Sequence, residues 1–73
     1  MSLGEYLKQC RTERGLTLEA CSMAAGISKS YLHDLEGNKS VPSLAIAAAL
    51  VLILKADLET MALLALRAGV NDR

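Results

Sequence analysis

At 73 residues the chain has room for one small domain, and 52% of it is apolar, nearly all aliphatic: 14 Leu and 11 Ala against no Phe, no Trp and two Tyr. Leucine and alanine favour helices, and strand-favouring β-branched and aromatic residues are few, so an all-α bundle is expected. Eight basic and eight acidic residues cancel, which excludes a polybasic arm or an acidic tail but not a local basic patch.

In chain order, Ser2 is placed to cap a first helix over about 3–14, with Glu5 at capping-box spacing and Gly15 at its end. Leu3, Leu7 and Cys10 recur at i, i+4, i+7 and predict its inner face. Thr17 caps a second helix over Leu18–Ala25, which Gly26 stops. Ser28 caps a third from Lys29 to about Glu36, with Leu32 and Leu35 inward and Ile27 just ahead of it. Gly37, Asn38 and Lys39 form a loop. Pro42 with Ser43 or Ser40 opens a fourth helix over about 43–54, with Lys55 at its end. Asp57 caps a fifth over about 58–68, closed by Gly69, and the tail Val70 to Arg73 is expected to fray.

Several classes fall away. No charged segment followed by a cleavable apolar stretch marks a secretion signal. The longest apolar run, Leu44 to Leu54, is eleven residues, whereas a membrane span needs roughly 20. Cys10 and Cys21 are too few for a disulfide scaffold and read as reduced core thiols in a cytoplasm. The lone His33 has no partner for catalysis or for a metal, and there is no phosphate-binding glycine loop. Neither an enzyme nor a cofactor is expected.

The second and third helices are joined by Ala25-Gly26-Ile27-Ser28, the spacing of a helix-turn-helix. Around it stand Arg11-Thr12-Glu13-Arg14-Gly15-Leu16-Thr17, then Gly26-Ile27-Ser28-Lys29-Ser30-Tyr31-Leu32, then Leu35-Glu36-Gly37-Asn38-Lys39 and Pro42-Ser43-Leu44. As an ordered set, over about residues 3–61, these resemble the Cro/Xre class of phage-repressor-like helix-turn-helix domains. The resemblance implies a five-helix lambda-repressor-like fold filling residues 1–73 as one DNA-binding domain. It also implies an ion pair between Arg11 and Glu36, tying the first helix to the end of the third. Three departures stand out. Leu18 replaces the usual glutamine and cannot reach a phosphate by hydrogen bonding. Cys10 and Cys21 replace leucines. The loop glycine comes one residue early, so Asn38 is expected to take the left-handed conformation.

Lys29, Ser30, His33 and Asp34 share the outer face of the third helix, as neighbours three and four apart do. Any solvated helix can show such a face; the resemblance turns it into a major-groove reader. Lys29 suits guanine O6 and N7, Asp34 suits cytosine N4, and Ser30 can donate or accept. His33 can reach a base or a phosphate. Phosphate contacts are expected from Thr17, Ser28, Tyr31, Asn38, Lys39 and Ser40, at helix N-termini and in the following loop.

The fourth helix is apolar all round. With Leu44, Ala47, Ala48, Val51 and Leu54 inward, Ile46, Ala49, Leu50 and Ile53 form a second stripe. In the fifth helix Leu58, Met61, Ala62 and Ala65 are expected inward, leaving Leu63, Leu64 and Leu66 elsewhere. These two sets predict a homodimer through about residues 43–68, set on double-stranded DNA at a palindromic operator. The expected function is a bacterial or phage-encoded cytoplasmic transcriptional regulator, a repressor or controller. The alternative is an antitoxin or protein-interaction module that binds a toxin or another partner through the last two helices.

Overall fold

Each helix starts where a side-chain oxygen can accept a backbone N–H that the first turn leaves unpaired. The computed structural model describes residues 1–69, and these form α1 (Leu3–Glu13), α2 (Leu18–Ala25), α3 (Lys29–Glu36), α4 (Leu44–Leu54) and α5 (Leu58–Ala68). Ser2 Oγ accepts from Glu5 N at 3.1 Å while Ser2 N donates to Glu5 Oε1 at 2.8 Å, the reciprocal capping box. Thr17, Ser28 and Ser43 accept from Ala20, Tyr31 and Ile46 at 3.0, 3.0 and 3.2 Å. Asp57 Oδ2 accepts from both Thr60 N and Thr60 Oγ1. The expected frayed tail, 70–73, lies outside the described residues.

α1 is the strut on which the rest assembles. It packs against α3, α4 and α5, and Leu3, Leu7 and Cys10 are buried along one side of it, as the spacing predicts. Leu32 and Leu35 from α3, Cys21 from α2, Leu50 and Leu54 from α4 and Met61 and Leu64 from α5 complete one core. Cys10 and Cys21 are free, buried thiols, standing as small apolar groups among leucines.

The inward faces of α4 and α5 differ from expectation. Leu50 is fully buried and Leu64 is 7% exposed, so neither is available to the interface predicted for it. Leu44 is 55% and Leu58 68% exposed, although both were expected inward, and Ala48 and Ala62 are exposed with them. Ile46, Ala49 and Ile53 are half-buried, while Leu63 and Leu66 are exposed as predicted. Both helices are turned by roughly 60° from the projected phase at 3.6 residues per turn. α4 contains no polar residue between Leu44 and Leu54, so its pattern carries no phase; contact with α1, α2 and α5 sets it instead.

Candidate nucleic-acid interface

α2 and α3 meet through a turn whose backbone only glycine adopts cheaply. Gly26 has φ +71°, and Ile27 N donates back to Ser22 O at 3.0 Å, closing α2 before Ser28 opens α3. Ile27 then packs onto the core just ahead of α3. Leu32 and Leu35, each 1% exposed, hold α3 by its inner face. Lys29, Ser30 and His33 are left exposed on the outer face, with Asp34 half-buried beside them. These four residues and Leu18 line one shallow groove.

Thr17 and Ser28 are exposed at the starts of α2 and α3. Each oxygen is engaged as an acceptor, but its hydroxyl proton remains free to donate. Tyr31 is half-buried against the core, Lys39 is exposed and Ser40 is half-buried. All ten expected contact residues are exposed or half-buried; Lys29, Ser30, His33 and Asp34 share one groove, whereas Ser40 lines another with Met1, Ser2 and Asn38.

Asn38 also carries a structural bond network. Its backbone is left-handed, φ +60°, as the displaced glycine led us to expect. Its amide, however, is committed to α1: Oδ1 accepts from Gly4 N at 3.0 Å, and Nδ2 donates to Ser2 Oγ at 2.9 Å. The amide thus ties the α3–α4 loop to α1, while its second Nδ2 hydrogen still faces solvent. The same junction explains Gly4. A Cβ there would collide with the carbonyl of Glu36 and lie 2.6 Å from that of Leu35, so the end of α3 sits directly on the α1 backbone.

The ion pair implied by the resemblance is present and shielded. Arg11 Nε donates to Glu36 Oε2 at 2.7 Å and Nη2 donates to Oε1 at 3.2 Å. Their side chains are 11% and 6% exposed. Arg11 Nη1 also donates to Leu16 O at 2.8 Å, so the same guanidinium braces the α1–α2 connection. Hydrogen bonding to Glu36 raises the pKa of Arg11 above its ordinary value, against the opposing effect of burial. Burial pushes the Cys21 thiol up, and the nearby Glu36 charge adds to it. No polar side-chain atom buried among the described residues lacks a partner.

Two participants escaped the sequence reading. Leu18, by sequence only a missing phosphate anchor, forms a wall of the groove beside Lys29. Met23, 75% exposed, lies along the adjoining groove with Leu18 and Lys29. Its place on an outward position of α2 was visible in the spacing, but its neighbourhood with α3 was not. Among the described residues no group of three or more His, Cys, Asp or Glu side chains is placed to hold a metal. No helix there is long and apolar enough to cross a membrane.

A family model described as a helix-turn-helix domain matches residues 2–64. The HTH-type transcriptional regulator DdrOP3 of Deinococcus deserti is 50% identical over 44 residues, which cover 60% of this chain and 34% of that protein. The match thus spans about a third of the relative's length.

Proposed function

Since the chain belongs to the helix-turn-helix domain family, we propose that it is a DNA-binding transcriptional regulator that lays α3 in the major groove of a duplex. One observation carries the reading. Leu32 and Leu35 pin α3 from behind, and Lys29, Ser30 and His33 stand exposed along its opposite face, directly after an N-terminus that opens to solvent at Ser28. The N-terminal residues of such a helix reach base edges. Lys29 and Ser30 are therefore the principal base readers, with His33 and Asp34 further along. Thr17, Ser28, Tyr31, Lys39 and Ser40 hold phosphates and fix register. The relative's name as a transcriptional regulator supports the same reading.

The protein acts in the cytoplasm as a repressor or controller, and it binds a palindromic operator as a homodimer. The exposed leucines support the dimer: Leu44 and Leu52 on α4, and Leu58, Leu63 and Leu66 on α5, are 55–77% exposed in the single chain. Large apolar patches left in water usually mark an interface. Leu44, Leu52 and Leu58 take the place of the buried Leu50 and Leu64 beside Leu63 and Leu66 in the proposed contact. Two-fold pairing sets two copies of α3 about 34 Å apart, one turn of B-DNA. No reaction is assigned to any side chain.

The test is fluorescence anisotropy with duplexes selected from a random pool, at several salt concentrations. Lys29→Ala relaxes base preference and loses ~1–3 kcal/mol on the favoured site, whereas Lys39→Ala weakens all sequences alike. Absence of binding to any duplex at low salt refutes the reading. Sedimentation as a monomer at micromolar concentration refutes the dimer. The same exposed leucines favour one other reading, in which α4 and α5 take a toxin or another protein partner. Tight partner capture together with no DNA binding decides for it.

A further inference from the structure

We propose that Leu18 is a specificity-determining contact that packs against the 5-methyl group of a thymine next to the base read by Lys29. This inference rests on the DNA-binding reading above and deepens it. Leu18 is the first residue of α2 and Lys29 the first of α3, so both lie at helix starts. Leu18 is half-buried: part of its side chain rests on the core, and the rest faces outward. It lines one groove with Lys29, Ser30, His33 and Asp34. It lines a second with Thr17, Met23 and Lys29. Leu18 and Lys29 are thus common to both, and the leucine sets an apolar wall beside the polar groups of Lys29, Ser30, His33 and Asp34.

The chemistry of the duplex then selects the partner. A leucine cannot hydrogen-bond a phosphate or a base edge. Among the four bases only thymine presents an apolar group, its C5-methyl, in the major groove. Closing the groove onto that methyl removes apolar surface from water on both sides. Closing it onto a polar base edge strips water from donors or acceptors and returns nothing. Leu18 therefore rewards thymine and penalises its competitors at one position of each half-site. Lys29 and Ser30 supply the polar discrimination at its neighbours. Packing against the core holds the leucine in place, so the contact needs no reordering on binding.

The experiment uses the whole 73-residue chain and a duplex selected from a random pool. Each thymine is replaced in turn by deoxyuridine, which deletes only the methyl. In the wild type, one thymine per half-site is sensitive, and the loss is about fourfold, the worth of one methyl removed from contact. Leu18→Ala binds more weakly and no longer distinguishes thymine from uracil there. Leu18→Gln, which keeps the side chain's bulk, binds the duplex and is equally indifferent to the methyl. Putting 5-methylcytosine at that position recovers part of the affinity lost on changing T·A to C·G in the wild type alone. Uniform tolerance of uracil by the wild type, or an unchanged uracil penalty in both variants, overturns the proposal while leaving DNA binding intact. Failure of the wild type to bind any duplex overturns the underlying reading as well.

Discussion

Neutralising one side of the Arg11–Glu36 pair should remove about half of this domain's stability. Glu36→Gln keeps the shape of the side chain and deletes the charge. It leaves a guanidinium whose side chain is 11% exposed, with its 2.7 Å charged partner gone and only the Leu16 carbonyl at 2.8 Å to hold it. Stranding a buried charge in this way costs ~3–5 kcal/mol. At ~0.05–0.15 kcal/mol per residue, 73 residues hold roughly 4–11 kcal/mol in total. The variant therefore unfolds roughly 12–40 °C lower, at ~4–8 °C per kcal/mol. Thermal and urea melts followed by far-UV circular dichroism measure both quantities. The partner experiment replaces both groups with apolar ones, Arg11→Met with Glu36→Leu. Desolvation of the charges is then avoided altogether, and this double variant should recover most of the loss. A Glu36→Gln cost under ~1 kcal/mol would mean that the pair behaves like a solvent-screened surface bridge. A double variant as unstable as the single one would equally refute the argument from desolvation.

Gly4→Ala drives a Cβ against the Leu35 and Glu36 carbonyls; backbone cannot step aside as a side-chain tip can, so a loss of ~1–3 kcal/mol is expected in a urea melt. Lys55 carries φ +49° at the end of α4, a left-handed conformation that costs a side chain about 1 kcal/mol; Lys55→Gly should be neutral or raise stability by up to that amount, despite the greater freedom of glycine in the unfolded chain. Glu5 and Asp57 have pKa values lowered by the backbone and hydroxyl hydrogen bonds of their caps. Depressed carboxylate pKa values add stability above their unfolded values and lose it as pH falls through the folded ones, so melting temperature should drop between about pH 5 and pH 3. Glu5→Gln with Asp57→Asn should flatten that descent. The buried Cys21 thiol, with its pKa pushed up, should resist a disulfide reagent in the folded protein and react at the rate of unfolding.

The termini of the helices were legible because local chemistry decides them. Ser2, Thr17, Ser28, Ser43 and Asp57 each cap their own chain segment, and no distant partner is needed. The inner faces of α1 and α3 were equally plain, since charged residues interrupt their apolar stripes and so mark a phase. The Arg11–Glu36 pair spans 25 positions and came from resemblance; neither residue's own neighbours announce it. α4 failed for the opposite reason to α1. A run of Leu, Ala, Ile and Val looks the same from every side, and only the packed neighbours choose which side is buried. The tie made by the Asn38 amide was not legible because its partner, Gly4, lies 34 positions away. Its loop position suggested solvent, whereas the glycine's missing Cβ lets α3 end against α1.

α1 makes none of the proposed DNA contacts, yet it governs the geometry on which they depend. Asn38 joins its N-terminus to the loop after α3, and Arg11 joins its last turn to the final residue of α3. Between them the Tyr6 hydroxyl accepts from Asp57 N at 2.9 Å and ties the same helix to the start of α5. The reading helix and the exposed leucines of α5 are thus both fastened to one strut. A two-fold dimer can match the pitch of DNA only if the path from interface to reading helix is stiff, because a small tilt at the interface grows into a displacement at each half-site. Two short hydrogen-bonded ties, from opposite ends of α1 to the C-terminal end of α3, resist such a tilt better than a single contact would. In the proposed dimer, loosening any of the three ties should therefore weaken binding to the paired operator more than binding to an isolated half-site.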